Sequence, residues 1–178
     1  LGVRKMQAGD LATGVRLLSR ALEVDPAYTD AHNNLGVALI RTGRPDAALA
    51  HYREAVRLEP GNATAHANVA KVLKRLGRLS ESEAEFLAAL RIDPNQPAVH
   101  GQLALVYLQQ GRLDEAYRHL GLALTLNPAD ADHHCNLGVV LRQMGRRKEA
   151  LGEFQRALAL RPDLEAARLN LAEMMREE

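Results

Sequence analysis

The sequence repeats itself with a period of 34, and this period constrains the fold more than any other feature. Three residue types keep to it independently, since a proline, a glycine and an alanine each recur at every 34th position. A fixed period of about 20 to 50 residues is typical of arrays in which one supersecondary unit is stacked on the next. The prolines are residues 26, 60, 94, 128 and 162; the glycines are 9, 43, 77, 111 and 145; the alanines are 21, 55, 89, 123 and 157.

Each period predicts two antiparallel helices of about 14 residues, because residues 29–62 contain two apolar stripes at helical spacing. Gly43 supplies the left-handed residue that closes the first helix, Pro45 is tolerated in the first turn of the second, and Pro60 ends it. One helix pair cannot bury both of its faces, so neighbouring pairs must stack into a linear array. The stripe residues are Leu35, Ala38 and Leu39 in the first helix and Ala48, Tyr52, Ala55 and Val56 in the second.

Two further positions of the repeat predict how the helices pack. One is always small, where the two helices of a pair should cross closely, and the other is large and should fill the gap to the next pair. Small side chains facing large ones are what close helix packing requires. The small residues are Gly36, Ala70, Ala104, Gly138 and Ala172, and the large ones are Tyr52, Phe86, Leu120 and Phe154.

These residues resemble the tetratricopeptide repeat (TPR) family over essentially the whole chain. The segments NLGVAL at 34–39 and NLGVVL at 136–141 match the family's first helix, and EALGEFQRALALRP at 149–162 matches its second. The resemblance implies an all-α fold, a right-handed α-solenoid or superhelix of antiparallel helix pairs, with about eleven helices and no separate domain. Four complete repeats are expected at 29–62, 63–96, 97–130 and 131–164, with partial repeats at 1–28 and 165–178.

The fourth position of each repeat holds a histidine where the TPR family often has tryptophan. Equivalent residues on stacked helices lie about 8–10 Å apart, whereas two imidazoles on one zinc ion need bonds of about 2.0–2.1 Å each. We therefore interpret the histidines as medium-sized rings in the slot of the family's aromatic residue, and we expect neither a metal nor a cofactor. They are His32, His66, His100 and His134.

A ladder of carboxamides occupies the sixth position of the repeats. Asparagine inside a helix costs up to about 0.7 kcal/mol relative to alanine, so the four asparagines together cost on the order of 2 kcal/mol. Their donors and acceptor suit the main chain of an extended peptide whatever its sequence. The alternative interpretation is that duplication copied a harmless residue. The ladder residues are Asn34, Asn68, Gln102, Asn136 and Asn170.

The resemblance to the TPR family implies that the first helix of each pair lines a concave groove and that the ladder faces this groove. The segments AHNNLG at 31–36 and HCNLG at 134–138 look like repeats of the arm of O-GlcNAc transferase-type proteins, whose groove asparagines hold extended substrate backbones. Two functions are therefore expected. One is a protein-interaction scaffold that binds an extended peptide in its groove. The other is the substrate-recruiting arm of a larger enzyme, such as a protein glycosyltransferase.

Basic residues follow the ladder along the first helices. Lys71, Lys74 and Arg75 belong to one first helix, Arg41 holds the matching place one repeat earlier, and Arg142 holds one two repeats later. On a concave face they would favour an acidic segment of the partner protein or peptide, although most charge runs on helices are merely solvated. Apolar groove surface is expected beside them at Val37, Leu105, Leu108 and Val139.

Other classes of function are not indicated. Phosphate loops, G-x-S-x-G, H-E-x-x-H and Cys-x-x-Cys motifs are absent, and carboxylates such as Glu81, Glu83 and Glu85 are expected on outer faces, so we predict no catalysis within these residues. The net charge of +1 and the aromatic content of 3% argue against nucleic-acid binding. No apolar run approaches the roughly 20 residues that span a bilayer, so no membrane contact is expected.

The remaining expectations concern one side chain and the two ends of the chain. Cys135, the one cysteine, is expected on the inner face with a partly exposed thiol and no special reactivity. Leu1 is not followed by a basic-then-apolar signal segment. We expect a cytoplasmic protein, although the sequence leaves the compartment open. An array with uncapped ends is also expected to be able to self-associate end to end.

Overall fold

The computed structural model describes residues 11–176, and over this range the chain forms ten helices and no strand. The all-α prediction is confirmed. The first ten residues, with Gly9 and the start of the partial repeat 1–28, lie outside the described residues, as do residues 177–178. The helices are α1 (Leu11–Val24), α2 (Thr29–Arg41), α3 (Pro45–Leu58), α4 (Ala63–Arg75), α5 (Leu79–Ile92), α6 (Pro97–Gln109), α7 (Leu113–Leu126), α8 (Ala131–Gln143), α9 (Arg147–Leu160) and α10 (Glu165–Arg176).

The chain divides into two compact units between Ile92 and Asp93. In unit 1, which includes α1 to α5, α2 packs on α3 and α4 packs on α5, and α3 contacts α4 to join the two pairs. In unit 2, which includes α6 to α10, the pairs are α6 with α7 and α8 with α9, and α10 packs on α9. Each unit is therefore a stack of helix pairs, as the repeat predicts. No helix within residues 11–176 has the length and apolar character needed to cross a membrane.

The first helix of each pair ends on a glycine in the left-handed region, as predicted. At the end of α2, Gly43 has φ 73°, the Arg44 N–H donates to the Leu39 carbonyl at 2.8 Å, and the Gly43 N–H donates to the Ile40 carbonyl at 3.1 Å. These two bonds form a Schellman motif, which satisfies the last carbonyls of the helix and reverses the chain. The same conformation recurs at Gly77, Gly111 and Gly145.

Small residues on the first helices receive large rings from the second helices. Tyr52 on α3 is 3% exposed and packs against Gly36 on α2, while Phe154 on α9 is fully buried against Gly138 on α8. The predicted pairing of small with large is therefore confirmed at these positions. The contact differs from the prediction in one respect, because each ring meets the first helix of its own repeat, whereas the sequence predicted it in the gap to the next pair.

Candidate functional site

In unit 1 the ladder runs over the first helices α2 and α4. Asn34 and Asn68 are both half-buried. The Asn34 Nδ2 donates to the Asp30 carbonyl one turn earlier at 2.7 Å, which fixes the orientation of this carboxamide. Among the described residues, the structure records no hydrogen bond from the Asn68 side chain. We call this surface of α2 and α4 the ladder face of unit 1.

In unit 2 the ladder residues Gln102, Asn136 and Asn170 are half-buried as well. Asn170 on α10 repeats the local bond of unit 1, since its Nδ2 donates to the Ala166 carbonyl at 2.8 Å. The Oδ1 of Asn170 points to a different partner, Arg142 on α8, whose Nη1 donates to it at 3.2 Å.

Arg142 links the ladder of unit 2 to a carboxylate. Its Nη1 also donates to the Glu173 Oε2 of α10 at 2.9 Å. Arg142 therefore meets an amide oxygen of the ladder and a carboxylate oxygen at the same time, and we call these residues the Arg142–Asn170–Glu173 triad. The sequence predicts that Arg142 contacts an acidic ligand, but in the structure Arg142 forms an ion pair with Glu173 of the same chain.

The basic cluster of unit 1 places lysines of one helix at two repeat positions that, in unit 2, belong to the neighbouring helices α8 and α10. Lys71 on α4 holds the repeat position that Glu173 holds on α10, and Lys74 holds that of Arg142 on α8. Lys71 is exposed and Lys74 is half-buried. Burial lowers the pKa of Lys74, and the positive charge of Lys71 lowers it further. Two neighbouring ammonium groups that disfavour each other are expected to be stabilised by a negative charge.

The other predicted residues of this face differ in exposure. Arg41 on α2 and Arg75 on α4 are exposed, each in the last turn of its helix. Val37 on α2 is 40% exposed and supplies apolar surface in unit 1. In unit 2 the corresponding apolar residues are half-buried: Leu105, Leu108 and Val139.

The fourth-position histidines lie in specific hydrogen-bonded joints rather than in plain aromatic slots. His32 on α2 makes contacts at both ring nitrogens: Nε2 lies 3.0 Å from the Pro26 carbonyl oxygen and Nδ1 lies 3.0 Å from the Nδ1 of His51 on α3. The first contact ties the helix to the preceding turn, and the second ties the two helices of the pair together. The second partner of each histidine, which was not predicted from the sequence, follows it by 19 positions: His51, Glu85, His119 and Glu153.

One of these joints shows that the expected position of Glu85 is wrong. Glu85 was expected on an outer face, but its Oε2 lies 2.6 Å from the His66 Nδ1 between α4 and α5. Glu81 is exposed, as expected, and pairs with Arg78 at 2.6 Å. Within residues 11–176 no group of three or more His, Cys, Asp or Glu side chains is placed to hold a metal ion.

The Cys135 thiol is buried, and the expectation of partial exposure is wrong. Only 5% of the residue is exposed on α8. Burial raises the pKa of the thiol, the charge of Asp132 raises it further, and Arg161 acts in the opposite direction. A protonated, covered thiol is a poor nucleophile.

The stacked helix pairs, the left-handed glycines and the small-to-large contacts define a TPR protein. The model of one TPR family, described as the Cilia and flagella-associated protein 70 C-terminal domain, matches residues 1–178. The chain belongs to this family. A comparison with curated proteins found no match.

Solved structures with the same fold are similar in shape and distant in sequence. The structure of MamA aligns with a TM-score of 0.83 and 21% identity, covering 90% of this chain and 94% of that chain. YrrB, described as a TPR protein with an unusual peptide-binding site, aligns with a TM-score of 0.80 and 21% identity, covering 95% and 87%. TTC0263, a thermophilic TPR protein of Thermus thermophilus, aligns with a TM-score of 0.76 and 24% identity, covering 98% and 95%. These likenesses establish the solenoid fold, and the likeness to O-GlcNAc transferase arms stays a prediction.

Proposed function

We propose that this chain is a protein-interaction scaffold and that the ladder face of unit 1 binds an extended peptide segment rich in acidic residues. The ladder would hold the peptide main chain, and the basic cluster would select aspartate and glutamate side chains. The TPR family and the peptide-binding site named for YrrB support a scaffold of this general kind.

The observation that carries the proposal is the Arg142–Asn170–Glu173 triad of unit 2. There, one cation beside the ladder takes a carboxylate oxygen at 2.9 Å and a ladder amide oxygen at 3.2 Å. The triad is an internal example of how a carboxylate can be received beside the ladder. Glu173 occupies that place from within the chain, so an added acidic ligand would have to displace it.

Unit 1 has a lysine at the repeat position where unit 2 has Glu173. This residue is Lys71, and both Lys71 and Lys74 lie one or two turns from Asn68 on α4. A carboxylate brought by a ligand would there lie beside two ammonium groups and a ladder amide of one helix, whereas the triad joins two helices. Charge-assisted hydrogen bonds of this kind are roughly twice as strong as neutral ones, which favours an acidic ligand over a neutral one.

The ladder accounts for binding that does not depend on side-chain sequence. With one N–H of Asn34 directed to its own helix, the Oδ1 and the second N–H remain to meet the N–H and C=O groups of an extended strand. Asn68 holds the same position in the next repeat. Two carboxamides on neighbouring first helices would thus contact separate peptide groups of one ligand.

The proposal is tested by selecting peptides from a random library with the full chain. The wild type is compared with the charge-reversal variant Lys71→Glu/Lys74→Glu and with a control, Lys148→Glu, which changes a lysine on α9 of unit 2. Circular dichroism checks that all three proteins have equal helicity. We expect the wild type and the control to select peptides rich in aspartate and glutamate. The reversal variant should lose this preference. Added salt should weaken the binding of acidic peptides to the wild type. Enrichment of neutral or basic peptides, or an acidic preference that survives the reversal, would overturn the proposal.

A further inference from the structure

Each complete repeat contains one histidine joint, which we define as the fourth-position histidine, the preceding proline carbonyl and the residue 19 positions later. A carbonyl oxygen can only accept, so the histidine Nε2 must carry a hydrogen in every joint. The Nε2 to carbonyl distances are 3.0, 3.2, 3.0 and 3.0 Å for His32, His66, His100 and His134. The Nδ1 atom then either accepts from its partner or carries a second proton.

Two joints pair histidine with histidine. In unit 1 the Nδ1 atoms of His32 and His51 lie 3.0 Å apart, with ring centroids 5.3 Å apart. In unit 2 the same atoms of His100 and His119 lie 3.0 Å apart, with centroids 5.2 Å apart. When His32 is neutral, its Nδ1 accepts from the Nδ1–H of His51. Once both rings are doubly protonated, two N–H groups and two positive charges face each other, and the bond is lost.

The other two joints pair histidine with glutamate. The Nδ1 to Oε2 distance is 2.6 Å for His66 with Glu85 and for His134 with Glu153. A carboxylate accepts from the Nδ1–H of a doubly protonated ring while Nε2–H still donates to the proline carbonyl. Because Nε2 already carries a hydrogen, Nδ1 bonds to the carboxylate only when it is protonated as well, so added acid forms or keeps these bonds until the carboxylate itself takes up a proton.

The charged groups near the joints keep the His–His joints and the His–Glu joints different in their response to acid. Glu54 on α3 lies close enough for its charge to interact with His32, but Arg57 binds that carboxylate at 2.7 Å.

In unit 2 the Tyr107 ring lies 5.4 Å from the His119 ring, and the Arg112 guanidinium lies 4.4 Å from the centroid of the Tyr107 ring. Beside His134, Arg156 forms an ion pair with Glu153, so this carboxylate faces a guanidinium as well as the histidine ring. Asn62 binds Glu59 in the turn before His66 at 3.0 Å.

The pKa of His51 is shifted in the direction that makes its joint sensitive to acid. Burial lowers the pKa of His51 below its usual value, and the charge of His32 lowers it further. The unfolded chain therefore takes up this proton at a higher pH than the folded chain does. The stability that the neutral ring contributes is present above about pH 6.5, the ordinary histidine value, and is lost as the pH falls below it.

We propose that the two His–His joints make α2–α3 and α6–α7 sensitive to acid, while the two His–Glu joints keep α4–α5 and α8–α9 docked. Each unit then holds one acid-sensitive pair and one acid-resistant pair. In a solenoid each repeat contacts only its neighbours, so one pair can loosen while another stays folded.

Hydrogen exchange of the full chain at pH 7.5 and pH 5.0, corrected for the intrinsic pH dependence of exchange, tests the proposal. We expect protection in α3 and α7 to fall about tenfold or more on acidification, and protection in α5 and α9 to change less than about threefold. The variant His51→Glu/His119→Glu should abolish the acid-induced loss. The reverse variant Glu85→His/Glu153→His should transfer it to α5 and α9.

Each outcome decides the matter. A uniform loss across all four pairs in the wild type, or an unchanged pattern in the first variant, would overturn the proposal. The reverse variant gives an independent answer if the first one folds poorly. Long-range nitrogen–proton NMR spectra at pH 7.5 supply a further check, because His32 and His100 must carry hydrogen on Nε2. A hydrogen on Nδ1 alone at that pH would contradict the joint geometry.

Discussion

The ring of Tyr52 occupies the space that a side chain at Gly36 would need. A Cβ added to residue 36 would lie 2.5 Å from the Tyr52 Cε1 atom, closer than real Cβ contacts come. The glycine at this repeat position is therefore required by a contact between α2 and α3 and not by the backbone conformation of α2. The same relationship holds for Gly138 and Phe154, with a distance of 2.7 Å.

Replacing Gly36 by alanine should destabilise unit 1 by about 1–3 kcal/mol, because the Tyr52 ring or the α2 backbone must move. This loss opposes the gain of up to about 1 kcal/mol that alanine brings to a helix interior. The control is Gly121→Ala on α7, where an added Cβ meets nothing within 4 Å, and which should stabilise. Urea unfolding measures both; equal responses of the two variants would contradict the steric account.

Ser82→Ala should destabilise the protein even though it restores the residue found in the other complete repeats. Ser82 on α5 is fully buried, and its hydroxyl donates to the Ala70 carbonyl of α4 at 2.8 Å. Losing this bond should cost about 0.5–1.5 kcal/mol. Thr125→Ala removes a similar bond at an exposed position of α7 and should change the free energy of unfolding by less than about 0.5 kcal/mol. A neutral Ser82→Ala would show that the buried bond contributes nothing.

Cys135 should react slowly with thiol reagents in the folded protein. Burial and the charge of Asp132 raise the pKa of its thiol, so the thiolate is scarce at neutral pH. Labelling with a disulfide reagent at pH 7.5 should therefore be much slower in buffer than in denaturant, and it should accelerate continuously up to pH 9. Fast labelling of the native protein at pH 7.5 would show that the thiol is accessible.

Glu173→Gln should create a second site for acidic peptides. It removes the carboxylate from Arg142 while leaving the ladder residues of unit 2 in place. Calorimetric titration with an acidic peptide selected by the wild type should then show a second binding event per chain. Glu165→Gln changes an exposed carboxylate on the same helix and should not. If neither variant alters the stoichiometry, the triad is not a model for ligand binding.

Much of the fold follows from local rules that a single repeat displays. Gly43 must close α2 because only a left-handed residue lets the Arg44 N–H reach back to Leu39, and Pro45 can begin α3 because its missing N–H has no partner there anyway. The glycine rule recurs with the period of 34 at Gly77, Gly111 and Gly145, so it predicts the end of the first helix in every complete repeat, whereas Pro45 has no counterpart at the start of α5, α7 or α9.

The joints and the triad were harder to predict because they depend on which side chains meet across helices. His32 and His51 lie on different helices and far apart in the sequence, so their contact depends on the rotation of α3 against α2. The alternation of His and Glu at the second position was visible in the sequence and could have indicated paired partners. The repeat pattern alone does not specify how α8 packs with its neighbours. This packing decides that Cys135 is buried and that Arg142 forms an ion pair with Glu173.

The ladder variant Asn34→Ala/Asn68→Ala tests the central claim most directly, measured by fluorescence anisotropy with several acidic peptides selected by the wild type. Because each carboxamide is proposed to bond the peptide main chain, all peptides should bind about tenfold or more weakly to the variant, whatever their sequences. The control Gln155→Ala, an exposed carboxamide on α9, should bind as the wild type does. Dissociation constants that are unchanged in the ladder variant, at equal helicity, would show that the asparagines were copied by duplication and do not hold a ligand.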